Sequence, residues 1–299
     1  MFDHKRKLII TTGDLDGVGA EVTSKALAQL SIPENIDLIV YRSKKINQPE
    51  FQLLNDRKDI NYIFSDKPPA EWVFQSGTEC FNRKAHALVT APLSKTEIIA
   101  SGFTEIGHTE ILKNICKVKY TFMVFVGEHF NVLLLTGHVP IKKISNLLNF
   151  ELLEAAGHAA NDFVKTFNLK KNIALLGLNP HAGEEGLMGH EEKELFKPFL
   201  YNFSTTLDIQ GPIVPDAAFL KQNWSKFSLF LCPYHDQGLI AFKTIHGHDS
   251  GVHLSLGLPF LRTSVNHGTA KDLFRQDKAN PASMKEAIQL AIHSISEGV

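Results

Sequence analysis

Cysteine is scarce. The three residues Cys80, Cys116 and Cys232 are far apart and odd in number. That excludes a disulfide framework and a cysteine metal cluster, and the thiols read as buried groups of a reducing compartment. Long apolar runs are missing as well. Hydrophobic stretches are about 5–9 residues long, whereas a bilayer span needs about 20, so no membrane partner is expected. No excess of one charge exists: 31 Lys and Arg stand against 32 Asp and Glu, for a net charge of −1. A nucleic-acid binder would carry a basic footprint, and none is expected here. The opening "MFDHKRKLIITTGD" lacks the apolar core of a signal peptide, which points to a cytoplasmic location. Repeats, low-complexity tracts and an evident linker are absent too.

What is present suits a soluble α/β chain. Its 299 residues suffice for one large domain or two ordinary ones. Short apolar runs at 7–14, 85–92, 130–138, 172–181 and 227–235 end in polar or glycine-containing turns. Unbroken runs of this kind suit strands buried on both faces. Helical spacing separates them, most clearly over 149–168 and over 281–295, where Pro281 opens the segment. Strands alternating with helices predict a largely parallel sheet. The loop "TTGDLDGVGAEV" places Gly13, Gly17 and Gly19 between a strand and a helix, but Val22 stands where a dinucleotide fingerprint needs its third glycine.

Histidine is abundant, with 14 residues, and three predicted strands finish on one: His138, His181 and His235. Ligands of open α/β sheets bind at the carboxyl ends of strands. Three imidazoles delivered there suit a catalytic metal with one open position. Any one alone would as readily cap a turn; the context shared by all three favours the metal. Asp236 is either an acceptor that orients His235 or an ordinary turn aspartate. His108 and Thr109 stand at a loop-to-helix junction, where Thr109 caps the helix or meets an anionic ligand. Lys243 and Arg262 lie among apolar neighbours and need a counter-charge, either a structural carboxylate or a phosphate.

"VTAPLSK", "GHTEIL", "LGLNPHAGEEGLMGHEE", "GPIVPDAAF", "YHDQGL" and "LGLPFLRTSVNHGTA" together resemble the 4-hydroxythreonine-4-phosphate dehydrogenase family. The resemblance implies a two-domain α/β fold like that of isocitrate and isopropylmalate dehydrogenases, with an interdomain cleft. Residues 1–120 plus 260–299 would form a discontinuous cofactor-side domain, and 121–259 the metal and dimer side. His138, His181 and His235 would hold a divalent ion (Zn, Mg, Mn or Co). His108, Thr109, Lys243, His253 and Arg262 would bind substrate. Asn266, His267, Gly268, Thr269 and Ala270 would line NAD or NADP. His108, Lys243 and Asp236 are the candidate acid–base groups. The family is a homodimer whose active site is built by both subunits. The implied reaction is oxidation, with decarboxylation, of 4-phosphooxy-L-threonine to 3-amino-2-oxopropyl phosphate in pyridoxal phosphate biosynthesis. Alternatives are a dehydrogenase of phospho-threonate or phospho-erythronate, or a non-catalytic binding protein. His253 stands where the family usually has Asn, and Asn266 where it has Asp. The opening glycine loop resembles the matching loop of the same dehydrogenases, a wall of the active site.

Overall fold

The computed structural model describes residues 5–45, 49–54, 57–169, 172–206, 208–247 and 250–296. Its strands in chain order are β1 (Arg6–Thr11), β2 (Ile36–Ser43), β3 (Ile60–Ser65), β4 (Ala87–Thr90), β5 (Phe122–Val126), β6 (Val132–Leu134), β7 (Asn172–Leu176), β8 (Ile209–Ile213), β9 (Phe227–Cys232), β10 (Val252–Leu256) and β11 (Leu261–Val265). The chain divides into two compact units, one of residues 1–121 with 248–299 and one of residues 122–247. No helix among the described residues is long and apolar enough to cross a membrane.

In the first unit the strand order is β3-β2-β1-β4-β11-β10. All neighbours pair in parallel except β10 and β11. β4 and the last four residues of β1 are fully buried, as their unbroken apolar runs require. Helices flank these strands: Gly19–Ala28, Pro69–Phe81, His108–Cys116 and Ala282–Ser296. A cluster that includes Ile9, Tyr41, Trp72, Val73, Leu88 and Leu112 forms part of the core. The antiparallel hairpin β10–β11 places residues 252–265 in this unit, so the second boundary falls at 247/248.

In the second unit the order is β5-β6-β9-β7-β8. β5 runs antiparallel to β6, and the other pairs are parallel. Its longest helix, Phe150–Thr166, begins where the Asn149 side chain accepts from the Leu152 amide at 2.9 Å. Phenylalanines dominate the core: Phe125, Phe130, Phe227, Phe230 and Phe242 pack with Leu134, Leu176 and Cys232. All three cysteines are buried and free, and burial pushes the Cys80 thiol up to about 12.

Candidate active site

β6, β9 and β7 are consecutive parallel neighbours, so their carboxyl ends share one edge of the second unit's sheet. His138 follows β6 by four residues, His181 follows β7 by five, and His235 follows β9 by three and opens the helix His235–His246. One backbone bond and one side-chain bond draw the first and last together. The Leu135 amide donates to the Cys232 carbonyl at 2.9 Å, and the Thr136 hydroxyl donates to the Pro233 carbonyl at 2.8 Å. The His138 and His235 rings consequently lie 5.0 Å apart, centroid to centroid. His235 Nδ1 is 2.7 Å from Asp236 Oδ1. With Asp236 accepting from Nδ1, Nε2 is left bare.

His181 is presented differently. Residues His181 to Glu185 form a continuous left-handed stretch, with φ of 51°, 52°, 78°, 42° and 56°. Four of the five are not glycine, a conformation that persists only when its surroundings impose it. The buried carboxylate of Glu192 does so. It accepts from the Asn179 amide at 2.8 Å and from Asn179 Nδ2 at 2.9 Å. A Cβ on Gly183 would stand 2.6 Å from Glu192 Oε2, so the glycine is required there. No three His, Cys, Asp or Glu side chains among the described residues are close enough together to hold one ion. A single copy of the chain therefore gathers two of the three expected ligands. The paired imidazoles, one oriented by a carboxylate, are a suitable half of a divalent-metal donor set. Lys243, half-buried on the helix of His235, meets no carboxylate among the described residues. It lies eight residues beyond His235, about 12 Å along the axis.

The first unit carries a polar patch that strand register creates. Ser264 stands opposite both Thr90 of β4 and His253 of β10. Two residues back along β11 on the same face is Arg262, and two residues on from His253 is Ser255. Arg262, 2% exposed, donates from Nη2 to Thr90 Oγ1 at 2.6 Å and from Nη1 to Ser255 Oγ at 3.0 Å. Its Nη1 also lies 3.3 Å from His253 Nδ1, which is 2.9 Å from Ser264 Oγ. Burial brings the guanidinium down to about 10, opposed by the charge of Glu110. His108 begins the helix His108–Cys116. Burial, helped by the charge of Arg262, pushes its imidazole down to about 3. Arg262 Nε and His108 Nε2 are both sealed from solvent without a hydrogen-bond partner. A buried donor left this way is costly unless a ligand completes it. Thr90, Ser255 and Ser264 were not singled out from the sequence, although polar residues alternating on apolar strands were visible there.

The glycine-rich opening is stapled inside the same unit. A Cβ on Gly13 would stand 2.1 Å from the Pro92 carbonyl oxygen, and one on Gly19 the same distance from that of Thr12. A Cβ on Gly17 would stand 3.0 Å from the Thr269 carbonyl oxygen, which accepts from the Val18 amide at 3.0 Å. Lys271 pairs with Asp16 at 2.8 Å and with the buried Asp14 at 3.4 Å. The loop expected to hold a nucleotide thus packs directly on the opening loop. Within it, Asn266 is buried and spends its side-chain amide on the Ser250 carbonyl at 3.3 Å. Gly268, by contrast, has open space where a Cβ would point.

The family model for the pyridoxal phosphate biosynthetic protein PdxA matches residues 68–291. A 4-hydroxythreonine-4-phosphate dehydrogenase of Sulfurihydrogenibium is 33% identical, over 96% of this chain and 97% of its own. A D-threonate 4-phosphate dehydrogenase of Pectobacterium atrosepticum is 36% identical, over 95% and 98%. The crystal structure of the Klebsiella pneumoniae 4-hydroxythreonine-4-phosphate dehydrogenase superposes with a TM-score of 0.82 at 26% identity, covering 97% and 98%. Isocitrate dehydrogenase of Methylococcus capsulatus, at a TM-score of 0.53 and 12% identity, shares the fold alone. These strand orders, the matched residues and full-length relatives named as dehydrogenases lead to one conclusion: the chain belongs to the PdxA family of pyridoxal phosphate biosynthetic proteins.

Proposed function

We propose that the chain oxidises the hydroxyl-bearing carbon of 4-phosphooxy-L-threonine with NAD or NADP, followed by loss of carbon dioxide, yielding 3-amino-2-oxopropyl phosphate. The observation that carries this reading is the His138–His235 pair oriented by Asp236, in a chain of this family. His138, His235 and His181 are the metal ligands, with the third supplied when two copies associate. Exposed Ile141, Leu187 and Ile240 support such a dimer, because each lies within six residues of one of these histidines. A divalent ion held there would supply Lewis acidity toward the substrate hydroxyl. The nicotinamide, when bound, takes the hydride.

The chain's own residues do the rest. Arg262 and His108 offer sealed polar atoms to a phosphate oxygen, and Thr109 adds the first turn of its helix. Lys243 meets no carboxylate among the described residues and is left to serve a substrate anion or to move a proton. His267, Gly268, Thr269 and Ala270 form the cofactor wall, with the open space at Gly268 admitting a ligand.

One observation favours a second substrate. His253 replaces the family's usual Asn beside Arg262, and the 36%-identical Pectobacterium relative is named for D-threonate 4-phosphate. The test is NADH formation with each substrate, with Co²⁺, Zn²⁺, Mg²⁺ or Mn²⁺ supplied. The higher kcat/KM decides between the two, and no turnover with either refutes the catalytic reading.

A further inference from the structure

We propose that His253 is a positioning residue for Arg262: its Nδ1 is a fixed acceptor, in the tautomer that carries hydrogen on Nε2, and it sets the guanidinium so that Nε is presented to an oxyanion. This rests on the reading of Arg262 as an anion-binding group.

The argument is one of donors and acceptors. A guanidinium only donates. With Nη1 of Arg262 3.3 Å from His253 Nδ1, that nitrogen must offer its lone pair. Ser264 Oγ lies 2.9 Å from the same atom. A hydroxyl can donate, so both neighbours are satisfied by one bare nitrogen. Hydrogen on Nδ1 would set an N–H against an N–H of a buried cation.

The three acceptors act on one end of the side chain. Thr90 Oγ1 takes Nη2, while Ser255 Oγ and His253 Nδ1 share Nη1. That leaves Nε, which is sealed from solvent and without an acceptor among the described residues. Guanidinium groups are planar, so fixing both Nη atoms fixes the direction of Nε–H as well. The arrangement follows from register. His253 and Ser264 are cross-strand partners, so both reach the face from which Arg262 projects.

Three variants and one spectrum test this. In wild-type protein, the ¹⁵N resonances of His253 at pH 7 should show Nδ1 bare and Nε2 protonated. H253N keeps an acceptor and should keep inorganic phosphate affinity within about 3-fold of wild type. H253F keeps a ring without an acceptor and should weaken inorganic phosphate affinity by about 10-fold, the loss of one charge-assisted hydrogen bond. R262M should abolish phosphate binding. A protonated Nδ1 in the wild type overturns the proposal without any variant having to fold. Phosphate binding lost in R262M but retained in H253F also overturns it, and leaves the anion site standing. Phosphate binding that survives R262M overturns the anion site and the proposal together.

Discussion

His138 and His235 face each other with ring centroids 5.0 Å apart because the loops that carry them are bonded two residues before each histidine, Thr136 to Pro233. The pair exists in one copy of the chain. If it is half of a metal site, H138A and H235A should each weaken Co²⁺ binding by at least about 100-fold in a calorimetric titration. Removing the carboxylate that orients His235, as in D236A, should weaken it by about 10–100-fold. Unchanged Co²⁺ affinity in H235A would place the metal elsewhere.

Gly13 and Gly268 differ in what the backbone asks of them. Gly13 has φ +70° and a would-be Cβ 2.1 Å from a backbone oxygen. G13A should therefore cost at least about 2 kcal/mol of stability in denaturant unfolding. Gly268 meets nothing within 4 Å and lies outside the left-handed region. G268A should leave Tm within about 1 °C, since surface changes away from special backbone cost little. A raised KM for NAD or NADP in that variant, at unchanged Tm, would identify the loop as a cofactor wall. An unchanged KM would remove Gly268 from it.

Acid should destabilise the first unit through His108. Its folded pKa, about 3, lies below the ordinary histidine value. Between the two, the unfolded chain binds the proton and the folded chain does not, so stability rises with pH in that window and is lost as pH falls from about 6.5 toward 3. His86 and His246 are shifted downward too, with burial as the first cause. The expected slope from His108 alone is at most about 1.4 kcal/mol per pH unit. H108N should flatten the urea-derived stability profile below pH 6. A profile as steep as wild type would show that the buried imidazole is not its source.

The loop of His181 depends on a carboxylate remote in its own turn. E192A strips the acceptor from the Asn179 backbone amide and one of the two from its side-chain amide, which keeps Glu191. A part-buried backbone amide left without its acceptor should cost about 1–3 kcal/mol. Proteolysis should then concentrate at 181–189, and equal cleavage in wild type and variant would show that Glu192 does not hold the turn.

Much of the fold was legible residue by residue. The run that predicts a strand at 7–14 overlaps β1, those at 85–92, 130–138, 172–181 and 227–235 contain β4, β6, β7 and β9, and the helix expected over 149–168 spans Phe150–Thr166. Apolar runs and helix caps act over a few neighbouring residues, so they can be read locally. The strands that escaped notice include β5, β10 and β11, which lie in or beside antiparallel hairpins. The polar residues of β10 and β11, His253 and Ser255 or Arg262 and Ser264, line the patch around the guanidinium and break the apolar signal.

The sequence by itself determined the element types, the placing of three histidines just beyond strand ends, and a glycine loop that fails the dinucleotide pattern. Tertiary structure decided which of these residues meet. Register between β4, β10 and β11 gathers Thr90, His253, Ser255, Arg262 and Ser264 around one guanidinium. Strand order β6-β9-β7 brings His138 to His235. Packing against Pro92, Thr12 and Thr269 assigns Gly13, Gly19 and Gly17 to the chain itself. Those encounters join residues distant along the chain, and no local pattern of hydropathy or spacing specifies which strand will lie beside which.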